Sequence, residues 1–478
     1  MRGGYASEIL KLAVGIWLWI APQPALLAAP PTLWWKSQVD NSVPYWAISL
    51  ALDAYGSPHM AYHDFKDGHL KYASKQGGTW TIENLDNSQF SGEYVSLAFG
   101  ASGNPHIAYS YHYSQATNAE LRYASRSGRK WTVETIDSLS LCCAGRDANV
   151  TVSTGMWTSL AIDASDKPHV AFWRYVDSDS DRTSSLIYAT KGDNSWKLEI
   201  LDSDKDVGSS GSVGQRASLA LSADGNPRIA YYDVRDHELK YASKDGGNWA
   251  VETVTAPGSV ESFRWYPSLA VDSKGSPHIA YYEMTEWMRQ GDLKYASKTG
   301  ASWNVEPVDS GGNVGEDLSL ALNAEGEPRI AYHDHTKGCL KYAEKRGGDW
   351  IVEAVDCTAL VTGTFTSLTL DAYGNPHVAY YDLTNVHVIY ASAAVELNAP
   401  DANWKVGTSR NVTWQGTGLV DLFISKDGGN TWLPLASGLT GGSFNLQVPN
   451  LPTTSAKLKV ERAAPYSKST SGVFTIVP

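Results

Sequence analysis

The chain has 478 residues, 42% of them hydrophobic, a globular composition with room for one large repeat domain and a small companion or for two ordinary domains. Its formal net charge of -12 is spread along the sequence with no basic stripe, which argues against a nucleic-acid or anionic-membrane partner. Eighteen Trp and 26 Tyr against 9 Phe weight the aromatic content toward rings with a polar handle, suited to half-wet sheet positions and ligand platforms.

Residues 1–29 have the layout of a secretory signal peptide: Arg2 and Lys11, the apolar run Leu12 to Ala21, then small residues ending in Ala28 and Ala29. That run is far short of the roughly 20 apolar residues a spanning helix needs. The expectation is an exported chain, secreted or held at a bacterial periplasm or cell surface, with no transmembrane segment once the signal is removed.

From residue 30 to 394 the sequence repeats. A Ser-Leu pair recurs at Ser49, Ser96, Ser159, Ser218, Ser268, Ser319 and Ser367, at spacings of about 47 to 63 residues, close to the range of a propeller blade. Each copy breaks into four β-rich runs, as in Ser218 to Ser222, Arg228 to Asp233, Leu239 to Ser243 and Trp249 to Val254. Asp224-Gly225-Asn226-Pro227 and Lys244-Asp245-Gly246-Gly247 supply tight turns between them. The unit is a four-stranded antiparallel meander, which buries its faces only by radial stacking. The seventh copy has three runs only, while Trp34 to Asp40 precedes the first copy. Trp34 and Asp40 fall where Trp80 and Asp86 fall in the first full copy, so this segment reads as the missing fourth strand. The predicted fold is all-β: a seven-bladed β-propeller closed by an N-terminal strand.

Residues 395–478 leave the repeat and read as short alternating strands, including Val420 to Ile424 and Lys457 to Val460, of a small β-sandwich. It is similar to the immunoglobulin-like or fibronectin-like modules that end many secreted bacterial proteins. The Asp-Gly-Gly turn followed by Trp in the repeats resembles the Asp-box hairpin of sialidase-like propellers. The fullest match, Ser425-Lys426-Asp427-Gly428-Gly429-Asn430-Thr431-Trp432, lies outside the repeats. What this resemblance implies is fold, because an Asp box is a folding device. A sialidase would need an arginine triad, a tyrosine nucleophile and a Phe-Arg-Ile-Pro motif, and six blades are typical, so a typical sialidase is not expected.

Comparing the copies with one another separates construction from function. His59, His106, His169, His278 and His377 each follow a Pro, but Arg228 and Arg329 take the same position in other copies; arginine is not a metal ligand, so these are structural donors. The first-to-second and third-to-fourth turns are repetitive and share one face. The opposite face carries the variable loops, where a site is expected. The ligand-binding candidates there are Trp46, Tyr94, His112, Trp157, Arg174, Tyr175, Arg216, Tyr232, Arg264, Trp265, Tyr282, Asp317, Phe365 and Tyr381. Flat aromatic faces ringed by charges suit sugar rings. Catalytic candidates at the ends of the second strands are His63, Asp64, Asp233, Glu283, His333, Asp334 and Asp382, offering carboxylate pairs for glycoside hydrolysis or His and Tyr for lyase chemistry.

Alternating Asp177, Asp179, Asp181 and Asp202, Asp204, Asp206 have a calcium-loop spacing, although Arg182 and Tyr188 in the first loop and Val207 and Val213 in the second break the EF-hand pattern. The expectation is a pair of solvated acidic loops and no cofactor, with calcium as the alternative. Cys339 and Cys357 face each other once the hairpin folds about Gly347-Gly348, so a disulfide is expected. Cys142 and Cys143 are adjacent, and a vicinal bridge, an intermolecular bridge or free thiols stay open. The leading function is binding of a glycan or other extracellular ligand by a monomer at the variable face. The alternatives are a polysaccharide-degrading enzyme, a glycoside hydrolase or lyase, using the same mouth, and a non-catalytic adhesin or protein-interaction scaffold.

Overall fold

Short apolar-polar alternations punctuated by Gly and Pro give strands and leave no stretch periodic enough for a helix. Every regular element among the described residues is a strand. The computed structural model describes residues 34–478 apart from 77, 89, 113–117, 141–150, 178–181, 194, 206–212, 256–262, 287–289, 399, 401–402, 417–418 and 464–465. The expected signal segment and the Cys142-Cys143 pair lie outside the described residues.

Strands Pro44–Leu52, Pro58–Asp64, His69–Gln76 and Thr79–Asp86 pair in that order as an antiparallel sheet, and five further sheets repeat the pattern. The seventh sheet takes Thr362–Leu370, Pro376–Asp382 and His387–Ser392 in order, then Trp35–Asp40 from the other end of the chain, antiparallel to His387–Ser392. The innermost strands of successive sheets pack together all the way round, with Thr362–Leu370 against Pro44–Leu52. The result is the expected seven-bladed propeller, closed by the N-terminal strand.

Repeated residues tie the blades to one another. Each marker serine accepts the backbone N–H of the marker leucine in the next blade at 2.9 to 3.0 Å, from Leu97 N–H to Ser49 Oγ round to Leu50 N–H to Ser367 Oγ, seven bonds in a ring. Farther out, a third-strand Tyr meets the fourth-strand Trp of the next blade edge-on in all seven interfaces, with ring centroids 5.1 to 5.5 Å apart. Trp34 occupies this place against Tyr342, so the N-terminal strand satisfies the same contact as the others. The Asp that ends a fourth strand accepts the hydroxyl of the next blade's second-strand Tyr in five interfaces, as Asp86 does from Tyr109 and Asp40 from Tyr62.

The post-proline histidines are part of this construction. Nδ1 of His59 lies 2.7 Å from the Tyr72 hydroxyl, and its Nε2 faces Asp53 at 3.4 Å. Arg228 and Arg329 replace this by donating to backbone carbonyls of their own and the neighbouring strand. Burial holds His106, His169 and His278 below the ordinary imidazole value, against the pull of Asp166, Asp163 and Asp272 respectively. A histidine kept neutral in the fold gives stability that is complete above the unfolded value of 6.5 and is lost as pH falls below it, because the unfolded chain takes the proton first. Thermal midpoints measured across pH 8 to 5 are therefore expected to hold down to about pH 6.5 and then fall, each histidine adding a slope of up to about 1.4 kcal/mol per pH unit. A profile that stays flat to pH 5 would remove this account.

Residues after Ser392 form two further sheets. Glu396–Leu397, Ser409–Gln415 and Ser443–Gln447 make one, and six strands built on Val420–Ser425 and Thr453–Ala463 make the other. Trp404, Trp414, Leu422, Ile424, Leu458 and Phe474 belong to the single core between them. In the 425–432 turn, Ser425 donates to Asp427 Oδ1 at 2.7 Å, and Asp427 accepts the Thr431 N–H at 2.9 Å and hydroxyl at 2.6 Å. These bonds within the segment hold the turn. The expected disulfide joins Cys339 to Cys357 at the open end of the Cys339–Arg346 and Asp349–Asp356 hairpin, Cα to Cα 4.5 Å.

Candidate ligand-binding mouth

One feature of the innermost strands makes the mouth. Six of them begin by passing over the preceding blade, and in five of these a glycine stands four residues before the marker serine, at Gly92, Gly155, Gly214, Gly315 and Gly363, all with positive φ. A Cβ at Gly214 would lie 2.6 Å from Leu186 and one at Gly363 2.7 Å from backbone of Leu340, so no other residue fits there. Two residues on, the strand bulges: pairing with the second strand skips between Glu93 and Ser96, between Gln215 and Ser218, and at the matching points elsewhere. The bulged residue is left-handed although it is not glycine: Tyr94 at 49°, Trp157 at 51°, Arg216 at 56°, Asp317 at 49° and Phe365 at 53°. Each such residue costs on the order of 1 kcal/mol or more, and strain repeated at one ring position is the mark of side chains aimed for a purpose.

These five side chains, with Ala47 from the first blade, line a cavity of about 330 Å³ on the axis of the ring. Its aromatic side runs through the second and third blades. Tyr94 meets Trp157 edge-on at 5.7 Å, Trp157 lies 5.1 Å from Trp173, and Trp173 stacks flat on Tyr175 at 5.2 Å. The Arg216 guanidinium lies 5.6 Å from the Trp157 ring. Across the axis, Phe365 stacks on Tyr381 at 6.4 Å, and its N–H donates to Asp317 Oδ2 at 3.1 Å. Burial raises the Asp317 carboxyl above the ordinary carboxylate value, with the Phe365 N–H and the charges of His333 and Arg216 pulling the other way. A larger cavity, about 630 Å³, lies where the C-terminal sheets meet the turns of the first and seventh blades, next to Tyr55, Tyr373, Glu396 and Lys468. It is on the face of repetitive turns, opposite the mouth.

The sequence-predicted ligand residues divide three ways. Tyr94, Trp157, Arg216, Asp317 and Phe365 come together in the mouth. Tyr175, Tyr232, Tyr282 and Tyr381 are buried behind it, Tyr282 giving its hydroxyl to Asn313, and Arg174 is held by Asp137, with Nε 3.0 Å from Oδ2. The side chains of Trp46, His112, Arg264 and Trp265 lie outside those described. Ala47 stands two residues before its marker serine, at the position that Tyr94, Trp157, Arg216, Asp317 and Phe365 take in theirs.

The catalytic candidates are not brought together. Asp64, Asp233 and Asp334 are buried, each 2.6 to 2.7 Å from the lysine of its own third strand, Lys71, Lys240 or Lys341, and each accepts turn N–H groups. Burial would raise Asp64, but Lys71 and the Lys66 N–H outweigh it and hold the carboxyl below its usual range. Asp382 caps its turn through Asn385, and Glu283 faces Lys294 at 3.8 Å. His63 and His333 are buried with Nδ1 bonded to the carbonyls of Ser91 and Thr362. Of the calcium-loop residues, Asp177 pairs with Arg182, Asp202 accepts the Tyr231 hydroxyl of the interblade tie, and Asp204 pairs with Arg235. Asp179, Asp181 and Asp206 lie outside the described residues.

The fold and mouth together define a seven-bladed propeller with a strained ring of aromatic and charged residues at its axis. No family model matches the chain, and no curated protein matches it. Among solved structures, similar ones include the α-L-arabinanase of Penicillium chrysogenum complexed with arabinobiose, 11% identical over 76% of this chain and 95% of that one, TM-score 0.43. An ulvan lyase of a new polysaccharide lyase family is 12% identical over 76% and 95%, TM-score 0.47. An α-L-arabinofuranosidase of Fusarium graminearum is 10% identical over 74% and 96%, TM-score 0.43. Likenesses of this order carry no argument about what the chain does.

Proposed function

We propose that the chain is an exported glycan-binding protein that holds a sugar unit in the axial mouth. The observation that carries this reading is the ring of left-handed residues: Tyr94 and Trp157 offer aromatic surface for the C–H side of a sugar, and Arg216 and Asp317 offer charged partners for hydroxyl or carboxylate groups. The cavity volume falls in the range of roughly 300 to 1,000 Å³ usual for small-molecule sites. A glycan array tests it. Trp157→Ala is expected to weaken the captured glycan by about 30-fold, the ~2 kcal/mol of a buried aromatic anchor, with the thermal midpoint measured alongside to exclude unfolding. Unchanged binding by a folded Trp157→Ala, or silence on the array, would overturn the reading and leave the scaffold alternative.

A second reading, cleavage of the bound polysaccharide, is favoured by one arrangement: Asp317 is the acidic residue of the cavity lining and lies within electrostatic reach of Arg216. A cation beside a carboxyl is what a bound uronate or a departing sugar oxygen needs nearby. Reducing-sugar and unsaturated-product assays on mixed polysaccharides decide it. Activity lost in Arg216→Ala and Asp317→Asn supports cleavage, and no product from the parent chain leaves binding alone.

A further inference from the structure

We infer that the sixth blade carries a binding site for a divalent first-row transition cation, formed by Glu316, His333 and His335 at the edge of the mouth. Strand pairing puts Glu316, on the bulged innermost strand, opposite His333 on the second strand. His335 follows two residues later, its N–H bonded to the carbonyl of Asn313 at 3.0 Å, which folds the turn back over Glu316. One ligand atom from each of the three lies within 4.8 Å of the others. Glu316 Oε2 and His335 Nδ1 are 3.4 Å apart, matching two donors that each sit about 2.1 Å from one tetrahedral ion.

An ion pair between Glu316 and His335 accounts for two of these groups but not for the third. His333 is buried, and its Nδ1 lies 2.8 Å from the Thr362 carbonyl. A carbonyl oxygen only accepts, so Nδ1 is the donor and Nε2 is the ring nitrogen left to face a cation. Fixing the tautomer of a metal-binding histidine through a backbone carbonyl is the usual outer-shell arrangement. The first blade supplies an internal comparison. His63 makes the same bond, 2.7 Å to the Ser91 carbonyl, but Trp46 stands where Glu316 stands and Phe65 where His335 stands. Histidine at this position thus needs only the carbonyl to serve the blade. The sixth blade adds a carboxylate and a second imidazole beside it.

Two imidazole nitrogens and one carboxylate oxygen select zinc and its first-row neighbours over calcium or magnesium, which take oxygen donors. Three protein ligands leave at least one position open, and the His335 side chain is 61% exposed and that of Glu316 31%, so the ion would exchange with solvent and reach a bound ligand. The site is independent of the glycan reading.

The untagged full chain, stripped with a chelator, is titrated with Zn²⁺ by calorimetry and its metal content measured after gel filtration. One equivalent per chain is expected, with a zinc-dependent rise in thermal midpoint and no comparable response to Ca²⁺. His335→Ala and Glu316→Gln each weaken binding by more than about 100-fold, exceeding what loss of an outer-shell partner costs. Exposure of His335 lets the stripped His335→Ala chain keep the parent midpoint. Zinc content at background in the parent, retention of zinc by both variants, or calcium bound in preference to zinc would each overturn the proposal.

Discussion

A chain lacking residues 34–40 does not form a stable propeller. That segment completes the seventh sheet through its pairing with His387–Ser392, and it closes two blade interfaces at once. Toward the sixth blade, Trp34 packs edge-on against Tyr342 and donates to Glu353 at 2.9 Å, while Lys36 pairs with the buried Asp356 at 2.8 Å. Toward the first blade, Asp40 accepts the Tyr62 hydroxyl at 2.9 Å and Lys71 at 3.3 Å, and Val39 enters the shared core. Partial burial of the two Trp side chains is worth about 1 to 2 kcal/mol each, and the ladder and interblade hydrogen bonds add roughly 1 kcal/mol apiece. The sum exceeds the lower end of a domain's whole stability, about 5 kcal/mol. Residues 41–478 are therefore expected to lose cooperative unfolding and to aggregate through the bared His387–Ser392 edge. Circular dichroism melts and limited proteolysis, set against residues 30–478, check this. A melt that matches the longer chain would show that the ring does not depend on its closing strand.

The same contacts explain which parts of the architecture are legible in the sequence. Ser-Leu, the third-strand Tyr, the fourth-strand Trp and its Asp recur because each bonds or packs against the next blade, so their spacing reports the ring directly. Trp34 and Asp40 identify the closing strand for that reason. The mouth is legible only in part. Tyr94, Trp157, Arg216, Asp317 and Phe365 stand out because the copies differ there, and the bulge that turns them inward leaves no mark in the apolar-polar alternation. A glycine four residues before the marker serine accompanies the bulged residue in five blades, whereas Tyr45 and Arg264 take that position in the first and fifth. Asp64, Asp233 and Asp334 end second strands, and each pairs with the lysine two residues into its third strand while accepting N–H groups of the turn. The pair recurs in the first, fourth and sixth blades, whereas in the seventh Ile389 takes the lysine position beside Asp382.

Removing the carboxylate of Glu396 destabilises the chain more than removing its partner Lys75, and the difference depends on pH. In the second to sixth blades the cation at the end of the third strand pairs with a glutamate from the fourth strand of the preceding blade, and in the second, fourth and sixth the neighbouring Trp donates to the same glutamate, as Lys244 and Trp249 use Glu199 and Lys345 and Trp350 use Glu306. The first blade follows the closing strand, where Ser37 stands at the glutamate position and takes only Trp80, at 3.3 Å. Glu396, from the first strand after the propeller, supplies the missing carboxylate to Lys75 at 2.8 Å, with Gln415 at 2.9 Å and the Trp35 ring 4.1 Å away. The Lys75 side chain is fully buried and that of Glu396 22% exposed. Glu396→Gln leaves a buried ammonium without its counter-charge, at a cost near the 3 to 5 kcal/mol typical of a broken buried pair, roughly 4 kcal/mol. Lys75→Met leaves a carboxylate that water still reaches, and costs about 2 kcal/mol. Burial already holds Lys75 below the ordinary lysine value of 10.5 against the pull of Glu396. Without that carboxylate the fold favours the neutral amine more strongly, so the penalty in Glu396→Gln is full at neutral pH and shrinks as pH rises toward the unfolded value. Denaturant melts of both variants and the double variant at pH 7 and pH 10 measure the coupling. Equal losses in the two single variants, or a Glu396→Gln deficit that does not move with pH, would mean that the C-terminal sheets are not electrostatically clamped at the point where the ring closes.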